Sequence, residues 1–358
     1  MHPRIELRAL AAPTVLVGAA VLGSGCAGSL ERLPETPGPV TLRLAGGGAE
    51  TSAAEGPTLR YLGVGGWLVR WRGAAFLTAP FYSNPGFFRV GLWSIRADTA
   101  RIDRHLPDVS DATAILVGHA HYDHLMDVPW VARRRAPGAT IYGSETMVNT
   151  LAGFTSLDEE GRLLALNHRA GDHRAPGEWI RVGGGRIRFM ALRSSHAPHA
   201  LGRTFYSGRR TEEITWKPGI APDWLEGRTL AYLVDLLDEA GRPVFRIYYQ
   251  DSAARAPAGL VPELPAEDRR RVDVAILCPA SFDQVERYPE AILENLKPRH
   301  VLLGHWEDFF RDPARPLRTV PFTDLQDFID RMIPALPDDA SWTLPEPGAQ
   351  ISVAPPGV

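Results

Sequence analysis

The run Gly118–Leu125, GHAHYDHL, sets the tightest limit on how this chain folds. Three histidines and an aspartate fall within six positions, directly after the apolar stretch AILV at Ala114–Val117. The whole chain holds only 11 histidines. A short apolar run closed by a glycine reads as a strand ending in a turn. His119 and His121, one residue apart on an extended segment, point the same way and reach the same ion. Asp123 and His124 follow as the chain turns into a helix, and they reach a second ion beside the first. Neutral imidazole and carboxylate suit zinc, manganese or iron.

Two ions need more donors than this turn supplies, and strand ends elsewhere provide them. His196 follows RIRFMAL in the stretch RSSHAPH, Asp251 terminates VFRIYYQ, and His305 terminates HVLLG. His196 lies nearer its strand than His199, and His300 begins a strand rather than ending one. His168, Asp172 and His173 in the loop NHRAGDH read as surface residues. Cys278, at the end of DVAILC, reads as a small buried apolar residue.

The remaining pattern predicts a fold. TLRYLG, GWLVRW and AAFLT are three short apolar runs separated by glycine-containing turns, a β-meander. No helix follows the glycines of LGVGGW, so they form a hairpin turn rather than a dinucleotide loop. AILVG, a helix over Leu125–Arg135 stopped by Pro137-Gly138, and TIYG come next, with Ser144 capping a short helix. RIRFMAL, TLAYLVDL and VFRIYYQ are further strands. DVAILC, a helix over Pro289–Leu296, HVLLGH and a last helix over Thr323–Met332 complete the series. Strands with helices outside them predict an α/β fold, a four-layer αββα sandwich spanning residues 58–345, with 346–358 as a tail. Phe81–Trp93 and His199–Arg228 read as long loops, and His199, Tyr206, Trp216 and Trp224 are expected to line a substrate pocket.

The N-terminal 25 residues read as an export signal. Arg4 and Arg8 precede the uncharged run AAPTVLVGAAVL, which is too short to span a bilayer, and small residues lead to Cys26. The placement of Cys26 resembles a bacterial lipobox, although Gly23 stands where leucine is usual. Cys26 is therefore expected to be lipidated, with residues 26–57 as a flexible linker that includes a short strand at Thr41–Leu44. That places the domain on the extracytoplasmic side of a membrane. Cys278 is the other cysteine, so no disulfide framework is expected. A net charge of −3 speaks against a nucleic-acid partner.

The ordered set H-x-H-x-D-H, lone His, strand-end Asp and final His resembles the metallo-β-lactamase-fold hydrolase superfamily over roughly residues 58–335. FLTAPFYS together with HAHYDHL is similar to the branch of N-acylphosphatidylethanolamine phospholipase D-like and ascorbate-6-phosphate lactonase-like enzymes. Those relatives usually carry Asp-Pro where this chain has Ala79-Pro80, and HWEDFF at His305–Phe310 is not the segment expected of either. The resemblance implies that His119, His121 and His196 hold one divalent ion and Asp123, His124 and His305 another. It further implies that Asp251 bridges them. The pair is expected to be zinc, with manganese or iron as alternatives. A bridging hydroxide oriented by Asp123 and Asp251 then attacks a phosphodiester or other ester-like bond of a small or lipid-like substrate. A lactonase or thioester hydrolase fits the same residues. A di-iron redox protein is expected to replace histidines by carboxylates, and a non-catalytic module to lack a ligand; this set does neither.

Overall fold

The computed structural model describes residues 56–154, 156–199 and 202–353. The expected export signal, Cys26, the expected linker as far as residue 55 and the expected strand at Thr41–Leu44 lie outside the described residues.

Two seven-stranded sheets form the centre of the molecule. The first contains β1 (Thr58–Gly63), β2 (Gly66–Trp71), β3 (Ala74–Thr78), β4 (Ala112–Leu116), β5 (Thr140–Gly143) and β6 (Leu163–Ala165). The second contains β7 (Ile180–Val182), β8 (Ile187–Arg193), β9 (Leu230–Leu237), β10 (Pro243–Tyr249), β11 (Val274–Leu277), β12 (His300–Leu303) and β13 (Ser341–Thr343). The last strand, β14 (Gln350–Ser352), returns to the first sheet and pairs antiparallel with β1. The segment expected as a tail therefore closes a sheet edge, with Ile351 buried against the core.

Both sheets follow one plan. β1, β2 and β3 are antiparallel, after which β3 to β6 run parallel. Likewise β7 to β10 are antiparallel and β10 to β13 parallel. Parallel neighbours need crossovers, and helices supply most of them. Thr99–His105 and Glu145–Leu151 cover the first sheet, and Glu290–Leu296 and Leu325–Met332 cover the second. The expected four-layer αββα sandwich is present.

β4 shows why its sequence reads as an unbroken apolar run. Ala114 and Leu116 face the core between the sheets, whereas Ile115 and Val117 face the helices outside. A strand buried on both faces has no polar side to show. The helix expected over Leu125–Arg135 is divided instead into Tyr122–Leu125, Val128–Trp130 and a wider π-helical turn over Val131–Arg135. Pro129, which has no N–H to donate, sits in the first turn of the middle piece. The expected loop over Phe81–Trp93 contains a helix, Phe87–Leu92.

A buried charged row locks the register of β8, β9 and β10. Asp235 on β9 lies opposite Arg188 of β8 and Arg246 of β10. It accepts from Arg188 Nε at 2.9 Å and from Arg246 Nε at 2.6 Å. A one-residue slip would unpair all three charges inside the protein, at high cost. The chain reaches His196 directly after β8 and Asp251 directly after β10.

Candidate metal centre

The seven expected donors converge at one rim of the sandwich. His119, His121, Asp123 and His124 follow β4 in the first sheet. His196, Asp251 and His305 follow β8, β10 and β12 in the second. The carboxyl ends of four strands thus bring together residues as far apart in the chain as His119 and His305.

The geometry is that of two adjoining donor groups. One donor atom each from His119, His121 and His196 lie within 4.8 Å of one another, and so do one each from His119, Asp123 and His124. Asp251 stands between the groups, with Oδ1 at 3.2 Å from His119 Nδ1 and Oδ2 at 3.2 Å from His124 Nδ1. Asp123 Oδ2 lies 3.4 Å from both His124 Nε2 and His305 Nε2. Nearly all of these side chains are buried, yet His121 Nε2, both ring nitrogens of His124 and Asp251 Oδ2 have no hydrogen-bond partner. His124 and Asp251 are close without being aligned to bond. Buried polar atoms left in this state are costly, and converging imidazole and carboxylate donors are what a divalent transition-metal ion requires. The residues fit the group.

Four donors hold the protonation state that ligation needs, and His124 is the exception: burial lowers it, but the carboxylates of Asp123 and Asp251 outweigh that and raise its imidazole to about 10, so it must shed a proton to bind an ion. Burial would raise the Asp251 carboxyl, but the facing imidazoles of His119 and His124 outweigh it and hold the group well below the usual carboxylate range. Asp123 is lowered in the same way by His124 and His305, against its burial. Burial pushes His121 and His196 well below the ordinary imidazole value, with their imidazole neighbours adding to the effect. Both therefore stay neutral, as ligation demands. His196 Nδ1 lies 2.5 Å from the carbonyl oxygen of Ala197. An N–H there donates to that oxygen and leaves Nε2 as the free lone pair.

Several residues that hold the donors in place carry no sequence signal of their own. A Cβ on Gly118 would lie 2.3 Å from both carboxylate oxygens of Asp251, and one on Gly65 would lie 2.6 Å from His124 Nδ1. The first glycine of the motif and the middle of LGVGGW thus leave room for ligands; the doubled glycine was the available hint. Gly65 is held there by its carbonyl, which accepts from Thr78 Oγ1 at 2.5 Å and Tyr249 Oη at 2.7 Å. His305 adopts a left-handed backbone, φ 55°, a conformation strained in residues other than glycine. Its N–H donates to Tyr61 Oη at 2.8 Å, Tyr61 donates in turn to Glu307, and Glu307 Oε1 accepts from Val64 N–H at 2.6 Å. The HWEDFF segment therefore carries its own brace. Ser252 Oγ accepts from Ala197 N–H at 3.1 Å, tying the His196 turn to the residue after Asp251.

The other expected residues separate clearly. His199 stacks on His196 at 4.7 Å, and Tyr206 stands edge-on to His121 at 6.5 Å. Trp216 is half exposed under Arg210. Trp224 is a correction, because it is fully buried in the core beside Phe154 and cannot line a pocket. His300 binds Ser341 and Thr343 on β13, and His168 and His173 are exposed away from the site. Cys278 is buried, and burial pushes its thiol up.

Residues 84–231 match the profile of a family described as a beta-lactamase superfamily domain. No curated protein matches the chain. Among solved structures it is similar to Igni18, a metallo hydrolase of Ignicoccus hospitalis KIN4/I, at 15% identity and a TM-score of 0.48, over 83% of this chain and 98% of that one. It is also similar to the metallo-beta-lactamase fold protein YhfI of Bacillus subtilis, at 10% identity and 0.46, over 83% and 100%. A third is CmlA, a diiron beta-hydroxylase of Streptomyces venezuelae, at 14% and 0.46, over 84% and 55%. Together with the match over residues 84–231, the two mixed sheets flanked by helices are those of the metallo-β-lactamase fold.

Two outcomes follow from this packing. Gly118→Ala keeps its circular dichroism spectrum but binds zinc at least about tenfold more weakly in competition with a chromogenic chelator. Unchanged affinity would show that Gly118 does not shape the centre. Asp127, fully buried, accepts from the N–H groups of Tyr82 and Ser83 at 2.7 and 2.9 Å, and burial pushes its carboxyl up to about 6. A carboxyl raised on folding stabilises the protein below its unfolded value, and that contribution is lost as pH rises through about 6. Asp127→Asn keeps the acceptor and cannot ionise. Its stability relative to the parent therefore rises between about pH 4 and pH 7, by on the order of 2 kcal/mol in urea titrations; a difference flat with pH contradicts this.

Proposed function

We propose that this chain is a hydrolase dependent on two divalent ions, most fitted to zinc, that cleaves a phosphodiester or other ester-like bond. One observation carries the reading. Asp251 presents one carboxylate oxygen to each of two adjoining histidine groups, the placement required of a bridging ligand. His119, His121 and His196 would hold one ion, and Asp123, His124 and His305 the other. Bound there, the ions would lower the pKa of water and polarise the ester oxygen.

The chain's own residues supply the rest. Asp251, whose side chain is sealed from solvent, stays ionised and fixes the two groups relative to each other. Asp123 retains 10% side-chain exposure and is the ionised carboxylate placed to orient the attacking water by accepting its hydrogen bond. His199 Nδ1 accepts from Phe205 N–H at 3.0 Å. Its proton is therefore on Nε2, where the ring is a neutral donor for the leaving oxygen. Tyr206, beside His121, offers a second polar group to the substrate. Lactones and thioesters present the same carbonyl chemistry to these groups. The export signal and Cys26 support an anchored protein that works outside the cytoplasm.

The test reconstitutes the protein separately with zinc and manganese and assays phosphodiester, lactone, thioester and β-lactam substrates beside Asp251→Asn. Turnover of one class, lowered by about 100-fold or more in the variant, is expected, because even partners of metal ligands are worth 10–100-fold. Equal turnover by the variant removes the bridging role.

A further inference from the structure

The segment after Gly86 is unlike the rest of the surface. Phe87, Phe88, Leu92 and Trp93 are 52%, 73%, 68% and 60% exposed, and of the helix Phe87–Leu92 only Val90 is buried. Large apolar residues exposed singly are ordinary, but four within seven positions mark an interaction surface. Ile95 N–H donates to Gly219 O at 2.8 Å, which brings the loop carrying the half-exposed Trp216 and Ile220 alongside.

Charge accompanies this patch. Arg89 and Arg96 are exposed, and neither forms an ion pair among the described residues. They border a cavity of about 620 Å³ with Ser83, Asn84, Asp98 and Arg101. Arg101 is already engaged by Asp98 and Asp312, whereas Arg89 spends only its Nε, donated to Ser94 O at 3.0 Å, so Arg89 and Arg96 are the cations without a carboxylate partner that a ligand can meet.

The patch also leads to the metal centre. Phe87 stands edge-on to Phe310 at 5.1 Å, Phe310 packs on Phe309 at 4.4 Å, and Phe309 meets the ring of His305 at 5.0 Å. An unbroken row of aromatic rings therefore runs from the exposed helix to a metal-ligating position.

We propose that this face docks the folded domain on a bilayer containing anionic phospholipid. The rings and Leu92 enter the boundary between headgroups and acyl chains, the depth that amphipathic aromatics favour, and Arg89 and Arg96 take the phosphates. Charge decides against a second copy of the chain. A twofold contact would set each patch against itself and bring arginine to arginine, whereas an anionic surface supplies the counter-charge. This surface role is independent of the hydrolytic reading, and its test involves no turnover.

The experiment uses the full chain with Cys26→Ser in every sample, so that no lipid is attached. It is sedimented with vesicles of phosphatidylcholine alone and of phosphatidylcholine with phosphatidylglycerol. Phe88→Asp with Trp93→Asp should lower partitioning at least about tenfold on both vesicles. Arg89→Ala with Arg96→Ala should lower it about tenfold or more on the anionic vesicles and leave it unchanged on the neutral ones, as expected of about fivefold per surface cation. A second readout does not depend on total binding: lipids brominated in the acyl chain should quench the parent more than Trp93→Phe. Partitioning and quenching that are the same in parent and variants overturn the proposal. So does a parent dimer that Phe88→Asp dissociates, which would make the patch a self-association surface.

Discussion

A carboxylate sealed from solvent between two imidazoles is the interaction on which this structure depends. Burying Asp251 is expensive, and the ring nitrogens of His119 and His124, each facing one of its oxygens at 3.2 Å, offset that cost. The arrangement requires two separate sheets to present their strand ends at one place, because Asp251 follows β10 while both histidines follow β4. It also requires bare backbone. Gly118 lies against the carboxylate and Gly65 against His124, so neither position has room for a side chain. Tyr232 Oη, donating to Val117 O at 2.7 Å, joins the two sheets immediately behind the turn.

The sheets are locked to deliver these ends in register. The Arg188–Asp235–Arg246 row makes slippage of β8, β9 and β10 costly. The braces from Tyr61 and Glu307 hold His305 in a backbone conformation it would not otherwise favour. Strain retained at such a position is characteristic of sites where geometry matters more than stability. The edge of the domain is built differently, since Val90 is the one buried residue of its aromatic helix and Phe88 and Leu92 are left outward.

The candidate donors were legible in the sequence because four of them fall in one motif after an apolar run and His196, Asp251 and His305 each come after another, and strands buried on both faces write themselves as unbroken apolar runs. The edge strands were not. In β6, Leu164 and Ala165 are exposed, and β7, β13 and β14 have three residues each, too few to set up an alternation. The residues bracing His305 were also hidden, since their partners are remote: Tyr61 and Glu307 are 246 positions apart. Trp224 was misjudged because an aromatic in a long connection reads alike whether it faces a pocket or the core.

The most direct measurement is anomalous scattering at the zinc edge from crystals of the zinc-loaded protein. The account predicts two peaks about 3.5–4 Å apart, the spacing of two-metal hydrolytic sites. One should lie among His119, His121 and His196 and the other among Asp123, His124 and His305, with Asp251 touching both. A single peak, or two that leave Asp251 without a metal neighbour, would contradict it.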